Sequence, residues 1–364
     1  MTKEIVLIGG GHTHALVLRL WGMDAPAGVN LTIINPAPTA AYSGMLPGFV
    51  AGHYTRDELN IDLSKLAGFA KARLITGIVT AIHTDKKQID IEGQPSIGYD
   101  LCSVDIGITS NMPALPGFTG FGVPAKPLAP FAQRWDDFRT THRNGKIVVI
   151  GAGVAGAELA MAMKHASPEY SVTLLDRSQA LTAIGKRGRR LLRRALDDMG
   201  VGLMEHADVI RVLKQGVELA DGTVVPSDFT VGAAGAEPFA WPSEIGVEMH
   251  EGYIAVDAEL RTSDPSIYAV GDCAHLVENP RPKAGVFAVR EAPYLFENLR
   301  AAVTGGEAKS YRPQKDYLKL ISLGSKSAMA EKFGFTFQGP LLWAWKDRID
   351  RSFMDQFADG DPKA

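Results

Sequence analysis

Residues 146–163 read KIVVIGAGVAGAELAMAM, an apolar run that passes through three spaced glycines into a second apolar run. The first part predicts a short buried strand, and Ala157–Met163 predicts a helix. Gly151, Gly153 and Gly156 form the pattern Gly-x-Gly-x-x-Gly, which provides a tight turn, close approach of the backbone to a pyrophosphate and close packing of helix on strand. Because amides at the helix N-terminus would face the phosphates, the stretch predicts a Rossmann-type dinucleotide site.

The next predicted strand ends in an acidic residue at the position expected for a ribose ligand. Val172–Leu175 is an apolar run, and Asp176 follows it, about 20 residues beyond Gly156. A carboxylate at this place binds the ribose 2′-hydroxyl of NAD and disfavours a 2′-phosphate. Arg177 is adjacent and is able to pair with such a phosphate, so the sequence favours NADH and leaves NADPH open.

The chain begins with a second copy of this order of elements. It consists of the strand Glu4–Ile8, the turn glycines Gly9, Gly10 and Gly11, the helix His14–Leu20 with Gly22 as its predicted end, and the strand Leu31–Ile34. His14 replaces the third glycine and Asn35 replaces the acid. Asn35 can make a neutral hydrogen bond to a ribose, weaker than the charge-assisted one, and His14 either packs on a cofactor or lies in the core. The repeat predicts two dinucleotide sites.

The rest of the chain fits around these two copies. Short alternating strands follow each copy, within residues 74–106 and 203–231, and Asp221-Gly222 predicts a hairpin. Five prolines make residues 111–130 an irregular connection. The predicted later elements are the strand Ile267–Val270, the helix Ala284–Val303, strand-like pieces at Tyr317–Leu323 and Phe333–Phe337, and a last helix, Pro340–Phe357. The predicted fold class is α/β, with two Rossmann-like dinucleotide-binding domains, each with a β-meander, and a small C-terminal segment.

Composition limits the other classes of function. The chain has 364 residues and a formal net charge of -3, which provides no overall positive field for a nucleic acid. Cys102 and Cys273 are its only cysteines, so we expect neither a disulfide framework nor a metal site. No stretch reaches about 18 uninterrupted apolar residues, and residues 1–10 lead into a strand without the features of a signal peptide. We therefore expect a cytoplasmic protein.

Several motifs resemble those of the two-dinucleotide-binding-domain flavoproteins. Residues 262–272, TSDPSIYAVGD, are similar to the motif whose aspartate binds the ribityl chain of FAD. Residues 231–238, VGAAGAEP, resemble the connecting motif, and residues 104–107, VDIG, resemble its counterpart in the first domain. Residues 9–14, GGGHTH, and 42–48, YSGMLPG, most resemble the branch of the pyridine nucleotide-disulfide oxidoreductase-like family that is fused or adjacent to selenophosphate synthase. Type II NADH dehydrogenases and sulfide:quinone oxidoreductases are similar to this branch.

The resemblance implies a division into domains and a set of cofactor-binding residues. Residues 1–112 and 254–305 would form the FAD-binding domain, residues 113–253 the NAD(P)-binding domain, and residues 306–364 a segment for an acceptor, dimer or membrane contact. Residues expected at the FAD and NAD(P)H sites are Gly9, Gly11, His12, His14, Asn35, Pro47, Gly107, Gly271, Asp272, Ala284, Gly285, Gly151, Gly153, Gly156, Asp176 and Gly235.

Two further residues are implied to act in catalysis. The helix that begins near Ala284 would place its N-terminus at the pyrimidine edge of the flavin, where its partial positive charge stabilises an anionic reduced ring. Lys283 would add to this charge if it points inward, and a solvent-exposed lysine is the alternative. Glu158 matches a glutamate that type II NADH dehydrogenases carry near the nicotinamide, although the helix dipole also favours an acid in a first turn.

The cysteines depart from the disulfide-reducing members of the resembled family. Those enzymes carry a redox cysteine pair early in the first domain, whereas residues 42–48 contain no cysteine. Sulfide:quinone enzymes need cysteines that can form a polysulfide bridge. Cys102 lies in an apolar strand and Cys273 follows the flavin aspartate, so we expect both to serve in packing, with contact of Cys273 to the cofactor left open.

Two surface features leave alternatives open. The predicted helix within residues 184–199 contains the basic residues Lys186, Arg187, Arg189, Arg190, Arg193 and Arg194, which form a solvated face or steer an anionic substrate. The last helix has an apolar series at helical spacing, Leu342, Trp345, Ile349, Phe353 and Phe357. This face packs on the protein itself or on a second subunit as a homodimer, or it docks residues 340–357 on the inner face of a membrane.

The function predicted from these features is an FAD-dependent NAD(P)H oxidoreductase. Hydride would pass from the nicotinamide to the flavin, and electrons would pass on to a small acceptor, with a quinone as the first expectation because the cysteine relay for disulfides is missing. A reductase in selenium metabolism, acting on a small selenium compound and linked to selenophosphate synthase, is an alternative that the branch resemblance suggests. A flavin-binding regulatory protein with low turnover is a third alternative.

Overall fold

The computed structural model describes residues 2–358. The helices of these residues alternate with strands in the first two thirds of the chain, and the longest ones are α8 and α9. In chain order the helices are α1 (His12–Met23), α2 (Leu46–Val50), α3 (Leu63–Phe69), α4 (Phe118–Phe121), α5 (Leu128–Thr141), α6 (Val154–Ala166), α7 (Lys186–Asp198), α8 (Gly285–Thr304) and α9 (Pro340–Ala358).

The strands are short and fall into eight sheets within the described residues. In chain order they are β1 (Lys3–Ile8), β2 (Val29–Asn35), β3 (Thr39–Ala41), β4 (Asn60–Asp62), β5 (Arg73–Thr76), β6 (Val79–His83), β7 (Gln88–Ile91), β8 (Gln94–Gly98), β9 (Leu101–Val104), β10 (Thr109–Ser110), β11 (Gly122–Pro124), β12 (Gly145–Ile150), β13 (Tyr170–Leu175), β14 (Gly202–Met204), β15 (Val209–Leu213), β16 (Gly216–Leu219), β17 (Val224–Pro226), β18 (Phe229–Gly232), β19 (Ala236–Glu237), β20 (Met249–His250), β21 (Tyr253–Val256), β22 (Ile267–Ala269), β23 (Ala274–Leu276), β24 (Lys319–Ser322), β25 (Ala328–Lys332) and β26 (Phe335–Gly339).

Two five-stranded parallel sheets share the arrangement of four strands and differ in one edge strand, which is the last of its sheet along the chain in the first sheet and the first in the second. The first has the strand order β22-β9-β1-β2-β5 and the second β11-β18-β12-β13-β14, and all pairings within them are parallel. Their central strands are almost continuous runs of Ile, Val and Leu, because both faces of such a sheet are buried; in the second sheet, Val148 and Ile150 pack in one cluster with Val212 and Val217 of β15 and β16. The predicted α/β class with two Rossmann-like units is confirmed.

A three-stranded antiparallel meander accompanies each parallel sheet. The first consists of β6, β7 and β8, and the second of β15, β16 and β17. The second contains the predicted hairpin, because β16 and β17 pair on either side of Asp221-Gly222. Strand β22 joins the first sheet although it follows the second one in the chain. We call the part of the molecule built on the first parallel sheet the first half and the part built on the second parallel sheet the second half. The backbone crosses between them at β10 and β19, which pair antiparallel.

The C-terminal segment combines a small antiparallel sheet, in the order β24-β25-β26, with helix α9. Helix α9 packs on this sheet and also reaches the first half of the molecule. Its residues Phe353 and Phe357 belong to the core of the first sheet, whereas Trp345 and Ile349 are exposed. The predicted apolar face of the last helix is therefore divided between the protein core and solvent.

Three local predictions were wrong. Helix α1 continues through Gly22 and begins at His12 rather than His14. Strand β26 begins at Phe335, because Phe333 has a φ of 51° and lies in the turn from β25. The proline-rich connection is less irregular than expected, since residues 122–124 form β11 and pair in parallel with β18 at the edge of the second sheet. Tertiary pairing decides such short elements, and a local pattern does not record it.

Candidate functional site

The second glycine turn has the backbone geometry that its sequence predicts. Gly151 has a φ of 105°, a conformation that a side chain rarely adopts. A Cβ on Gly156 would lie 1.9 Å from the carbonyl oxygen of Gly151, whereas nothing lies within 4 Å of a Cβ position on Gly153. Helix α6 begins without a side-chain cap, so its first amides remain free to bind phosphate.

Asp176 closes this turn from the end of β13. Its Oδ2 accepts a hydrogen bond from the Ala152 backbone N–H at 2.8 Å, and its Oδ1 accepts bonds from the backbone N–H and the hydroxyl of Ser178, at 2.9 and 3.0 Å. Oδ2 retains acceptor capacity for a ribose hydroxyl, whereas Oδ1 already accepts two hydrogen bonds. The adjacent Arg177 is exposed.

Asn35 occupies the equivalent place in the first turn. Its Oδ1 accepts a hydrogen bond from the Gly10 backbone N–H at 2.9 Å, and its Nδ2 donates to the carbonyl of Ala37 at 2.7 Å. The neutral side chain therefore holds the first turn by the same contact that Asp176 makes in the second. Gly9 has a φ of 91°, and a Cβ on Gly11 would lie 2.2 Å from the Asp105 carboxylate.

The contacts of His14 explain why the first turn works without a third glycine. The imidazole is fully buried, its Nδ1 bonds to the carbonyl of Gly9 at 2.7 Å, and its Nε2 bonds to the hydroxyl of Ser103 at 2.8 Å. Burial lowers the pKa of His14 to about 4, so the ring is neutral at physiological pH. These contacts favour the core alternative for His14: the ring ties the turn to β9.

Several predicted residues of the first site lie together at the N-termini of α1 and α8. A Cβ on Gly285 would lie 3.2 Å from Nδ1 of His12, and a Cβ on Gly271 would lie 2.4 Å from Oδ1 of Asp105. Ala284 precedes α8 and provides no side-chain cap. The structure therefore brings His12, Gly11, Gly271 and Gly285 to one place, with exposed helix amides on two sides.

This place fits the flavin dinucleotide that the sequence implies. Oδ1 of Asp272 is buried and has no hydrogen-bond partner among the described residues, as expected for a carboxylate whose ribityl hydroxyl partner is missing. Its other oxygen, Oδ2, pairs with Lys126 at 3.5 Å. Burial lowers the pKa of His12 to about 4, against the opposing effect of the nearby Asp272. His12 therefore presents a neutral ring to the site.

Lys283 is turned toward the protein. Its Nζ donates to the carbonyl of Ala274 at 2.6 Å and lies 3.8 Å from the ring centre of Tyr253. Burial lowers the pKa of Lys283 to about 8, and the neighbouring Arg281 lowers it further. The contacts therefore favour the alternative in which Lys283 points inward. Its amine already contacts the carbonyl of Ala274 and the ring of Tyr253.

Three other predicted residues lie where the two halves meet. Pro47 is buried in helix α2, which packs on α6 of the second half. Gly107 has a φ of 68°, lies three residues beyond Val104 at the end of β9, and has nothing within 4 Å of its Cβ position. A Cβ on Gly235 would lie 1.7 Å from Oδ1 of Asn111, so the backbone crossing at β10 and β19 requires glycine there.

Glu158 faces the C-terminal segment from α6. Its Oε1 accepts a hydrogen bond from the backbone N–H of Ser322 in β24 at 2.7 Å. Burial raises the pKa of Glu158 to about 7, while the charge of Lys346 and the Ser322 bond oppose this rise. The side chain is therefore a carboxyl group that can hold or release a proton near neutral pH.

The sequence reasoning missed a buried ion pair on α9. Lys346 donates to Oδ2 of Asp350 at 2.6 Å and to the carbonyl of Gly44 at 2.7 Å, and the Tyr42 hydroxyl donates to Oδ1 of Asp350 at 3.0 Å. Lys346, Asp350, Phe353 and Phe357 are spaced so that they lie on one face of a helix. The sequence therefore contained a signal that the two charges face the core together with the aromatic rings. It was overlooked because the charges of the helix were treated as one balanced surface set.

The cysteines form no redox centre in the described residues. Cys102 and Cys273 are both free and buried. Burial raises the pKa of the Cys102 thiol and raises that of Cys273 to about 12. Both are therefore protonated and unreactive at neutral pH. The thiol of Cys273 donates to the carbonyl of Val270 at 3.2 Å, which is a packing contact.

Known proteins place this arrangement in a family. A family model described as "Pyridine nucleotide-disulphide oxidoreductase" matches residues 3–292. The chain belongs to this family. The pyridine nucleotide-disulphide oxidoreductase family is FAD- and NAD(P)H-dependent, and the protein is an FAD-dependent NAD(P)H oxidoreductase.

Individual relatives differ in the acceptor that their names state. The NADH dehydrogenase-like protein YutJ of Bacillus subtilis is 24% identical over 349 residues, which cover 93% of this chain and 94% of that protein. The nitric oxide reductase FlRd-NAD(+) reductase of Salmonella paratyphi A is 33% identical over 362 residues, which cover 94% and 89%. The sulfide:quinone oxidoreductase structure from Aquifex aeolicus has a TM-score of 0.81 at 16% identity and covers 100% and 93%; it shows the shared fold.

Proposed function

We propose that this oxidoreductase passes electrons from NADH to a quinone, with FAD held at the first glycine turn and NADH at the second. The observation that carries the proposal is an apolar groove of about 560 Å³ beside α9. Its lining comes from the C-terminal sheet and from the start of α9, and includes Leu318, Ala330, Phe335, Phe337, Leu342 and Trp345. A groove that is lined mainly by apolar side chains suits an isoprenoid chain, and Lys332 and Gln338 are the polar side chains of its lining.

The polar face of the same helix supports a role at the head group of the acceptor. Lys346 follows Trp345 directly, and with Asp350 it lies against Tyr42 and Gly44 of residues 42–48, which include the predicted cofactor-binding residue Pro47. The ring of Tyr42 stacks on Phe353 with centroids 4.5 Å apart. Helix α9 would thus present apolar side chains to the tail of the acceptor, and the Lys346 ammonium would be its donor to a carbonyl oxygen of the head group.

The chain itself positions the cofactors and controls protons. Bound flavin and nicotinamide supply hydride and electron transfer. The uncapped N-termini of α6 and α8 bind negative charge, and Asp176 selects the ribose of NADH by its carboxylate. Glu158 holds a proton beside Ser322, at the junction of the second half with the C-terminal segment.

An exposed aromatic surface indicates where the protein would meet a quinone pool. Phe333, Phe335, Phe337 and Leu341 are 71, 64, 65 and 84% exposed. Apolar patches of this kind on a surface mark contacts with a membrane or another protein. No helix among residues 2–358 has the length and apolar character to cross a bilayer. We propose a cytoplasmic protein that contacts the inner face of the membrane through 340–357; a homodimer through the same surface is the competing arrangement.

The test follows the flavin absorbance of the purified protein under anaerobic conditions. NADH is expected to bleach the flavin bands, and a short-chain quinone is expected to restore them. Trp345→Ala should raise the quinone KM several-fold and leave the NADH half-reaction unchanged, whereas Ile349→Ala, outside the groove on the same helix, should leave both unchanged. Bleaching without recovery by quinone would overturn the quinone assignment.

Two other acceptors are distinguished by the same assay. A small selenium compound that restores the flavin bands faster than the quinone would favour the selenium alternative, which none of the relatives named above supports by its name. Recovery by an oxidised iron or flavin carrier protein alone would favour a protein acceptor; the name of the Salmonella relative gives FlRd as the partner of that enzyme. Slow bleaching without turnover on any acceptor would favour a regulatory role.

A further inference from the structure

A buried carboxylate lies between Gly11 of the first glycine turn and Gly271, at the predicted FAD site. Asp105 follows β9 and is 3% exposed. Its Oδ2 accepts a hydrogen bond from the His14 backbone N–H at 3.1 Å. A Cβ on Gly11 would lie 2.2 Å from the carboxylate, and one on Gly271 would lie 2.4 Å from its Oδ1. Asp105 thus fills the space that these two glycines leave at the N-terminus of α1.

No cation compensates this carboxylate within residues 2–358. The nearby Arg281 pairs with Glu291 of α8 and donates to the carbonyl of Gly271 at 3.0 Å. Lys126 pairs with Asp272, and Lys283 donates to Ala274. The imidazoles of His12 and His14 are neutral because burial lowers the pKa of each, and the Cys273 thiol is protonated.

This position is also where a dinucleotide places its negative charge, because the pyrophosphate binds at the N-terminus of the first helix. An ionised Asp105 would face a pyrophosphate without a cation between them, and a buried uncompensated charge is costly. Burial raises the pKa of Asp105 to about 7, and the Glu291 and Asp272 carboxylates raise it further, against the His14 and Thr13 amides. In the FAD-free protein, the Asp105 carboxyl is therefore already partly protonated at neutral pH.

We propose that Asp105 is a cofactor-binding residue that acts in its neutral form, so that loading of FAD is coupled to uptake of one proton by its carboxyl group. A neutral carboxyl can donate a hydrogen bond to the cofactor, whereas the carboxylate can only accept. The proton comes from solvent, and no bond other than the O–H bond forms. This coupling concerns FAD loading and is independent of the acceptor, so failure of the quinone proposal leaves it intact.

The test measures FAD binding to the FAD-free protein between pH 6 and pH 9, by quenching of flavin fluorescence. The wild-type Kd should be constant below about pH 7 and should rise about tenfold per pH unit above it, until the pKa of the loaded form is reached. Asp105→Asn keeps the shape and can donate a hydrogen bond without ionising, so its Kd should be flat over this range. Asp85→Asn, an exposed carboxylate, should keep the wild-type slope.

Calorimetry counts the proton that is taken up on FAD binding directly. In buffers of different ionisation enthalpy at pH 8, FAD binding to the wild type should take up about one proton, and binding to Asp105→Asn should take up none. Uptake that disappears in Lys283→Met but persists in Asp105→Asn would assign the proton to Lys283 and overturn the proposal. Absence of uptake by the wild type, or of a new protonated-carboxyl band in the infrared difference spectrum on FAD binding, would also overturn it.

Discussion

The side chain of Glu158 accepts a hydrogen bond from the backbone N–H of Ser322 across 2.7 Å. The bond joins α6, which begins at the second glycine turn, to β24 of the C-terminal sheet. Burial is the main reason that the pKa of Glu158 rises from 4.5 to about 7. The folded protein therefore keeps this carboxyl neutral at pH values where an unfolded chain ionises it.

Ionising the buried Glu158 carboxyl costs the folded protein stability. Replacement of Glu158 should reveal this cost as a pH-dependent change in the free energy of unfolding. Because the folded pKa is raised, the contribution of the neutral carboxyl to stability is fully present below about pH 4.5 and is lost as the pH rises to about 7. Glu158→Gln keeps the acceptor for Ser322 and cannot ionise. We expect it to exceed the wild type in free energy of unfolding by about 1–2 kcal/mol at pH 8 and to match it at pH 4.5, measured by urea denaturation. Glu169→Gln, on the surface, should match the wild type at both pH values. The prediction would be contradicted if Glu158→Gln differed from the wild type by the same free energy of unfolding at pH 8 and at pH 4.5.

The two glycine turns were predictable because everything that specifies them is local. Gly151, Gly153 and Gly156 fix the backbone by their own conformations, and Asp176 follows at a spacing set by one helix and one strand. In the first turn, the neutral side chain of Asn35 accepts a bond from the Gly10 backbone N–H, as Asp176 accepts one from the Ala152 backbone N–H in the second turn. The role of His14 was not fixed by sequence, because its partners are Gly9 and Ser103, and the second of these is far away in the chain.

Asp105 and Lys346 illustrate what a local pattern does not contain. Asp105 lies in the VDIG motif of residues 104–107, which assigns no role to its side chain, and only the fold brings it against Gly11 and Gly271. Lys346 shares a helix face with Asp350, Phe353 and Phe357, but only the packing of α9 on Tyr42 and Gly44 shows that it is a buried cation. The strand β26 was misplaced for the same reason, since its register depends on pairing with β25.

Asp176 should determine the choice between NADH and NADPH. Asp176→Ala removes the ribose acceptor and the partner of the Ala152 amide, and it leaves Arg177 beside the site. We expect the NADH KM to rise about tenfold, corresponding to loss of one charge-assisted bond, and the NADPH KM to rise less. Steady-state assays with both nucleotides measure this ratio, with Asp197→Asn, exposed on α7, as the control. Retention of the full NADH preference would show that Asp176 only shapes the turn.

The buried pair on α9 should be much more sensitive than an exposed pair of the same spacing. Lys346→Met leaves the Asp350 carboxylate buried with only the Tyr42 hydroxyl as partner, which should cost about 3–5 kcal/mol of unfolding free energy. Adding Asp350→Asn removes the stranded charge and should recover a large part of that loss. Arg194→Met breaks the exposed Arg194–Asp198 pair and should change stability by less than about 0.5 kcal/mol. Equal losses in the two helices would mean that the α9 pair is not buried in solution.

Two alanine substitutions in the second glycine turn should separate its structural role from its binding role. Gly156→Ala places a Cβ 1.9 Å from the Gly151 carbonyl oxygen, so α6 must move away from β12, and both Tm and NADH binding should fall. Gly153→Ala meets no protein atom within 4 Å, so Tm should stay near the wild-type value. NADH binding should still weaken at least tenfold, because the methyl group occupies the space where the backbone approaches the pyrophosphate. Both variants should retain FAD, since the first turn is unchanged. Unimpaired flavin reduction by NADH in Gly153→Ala would show that the nucleotide binds elsewhere.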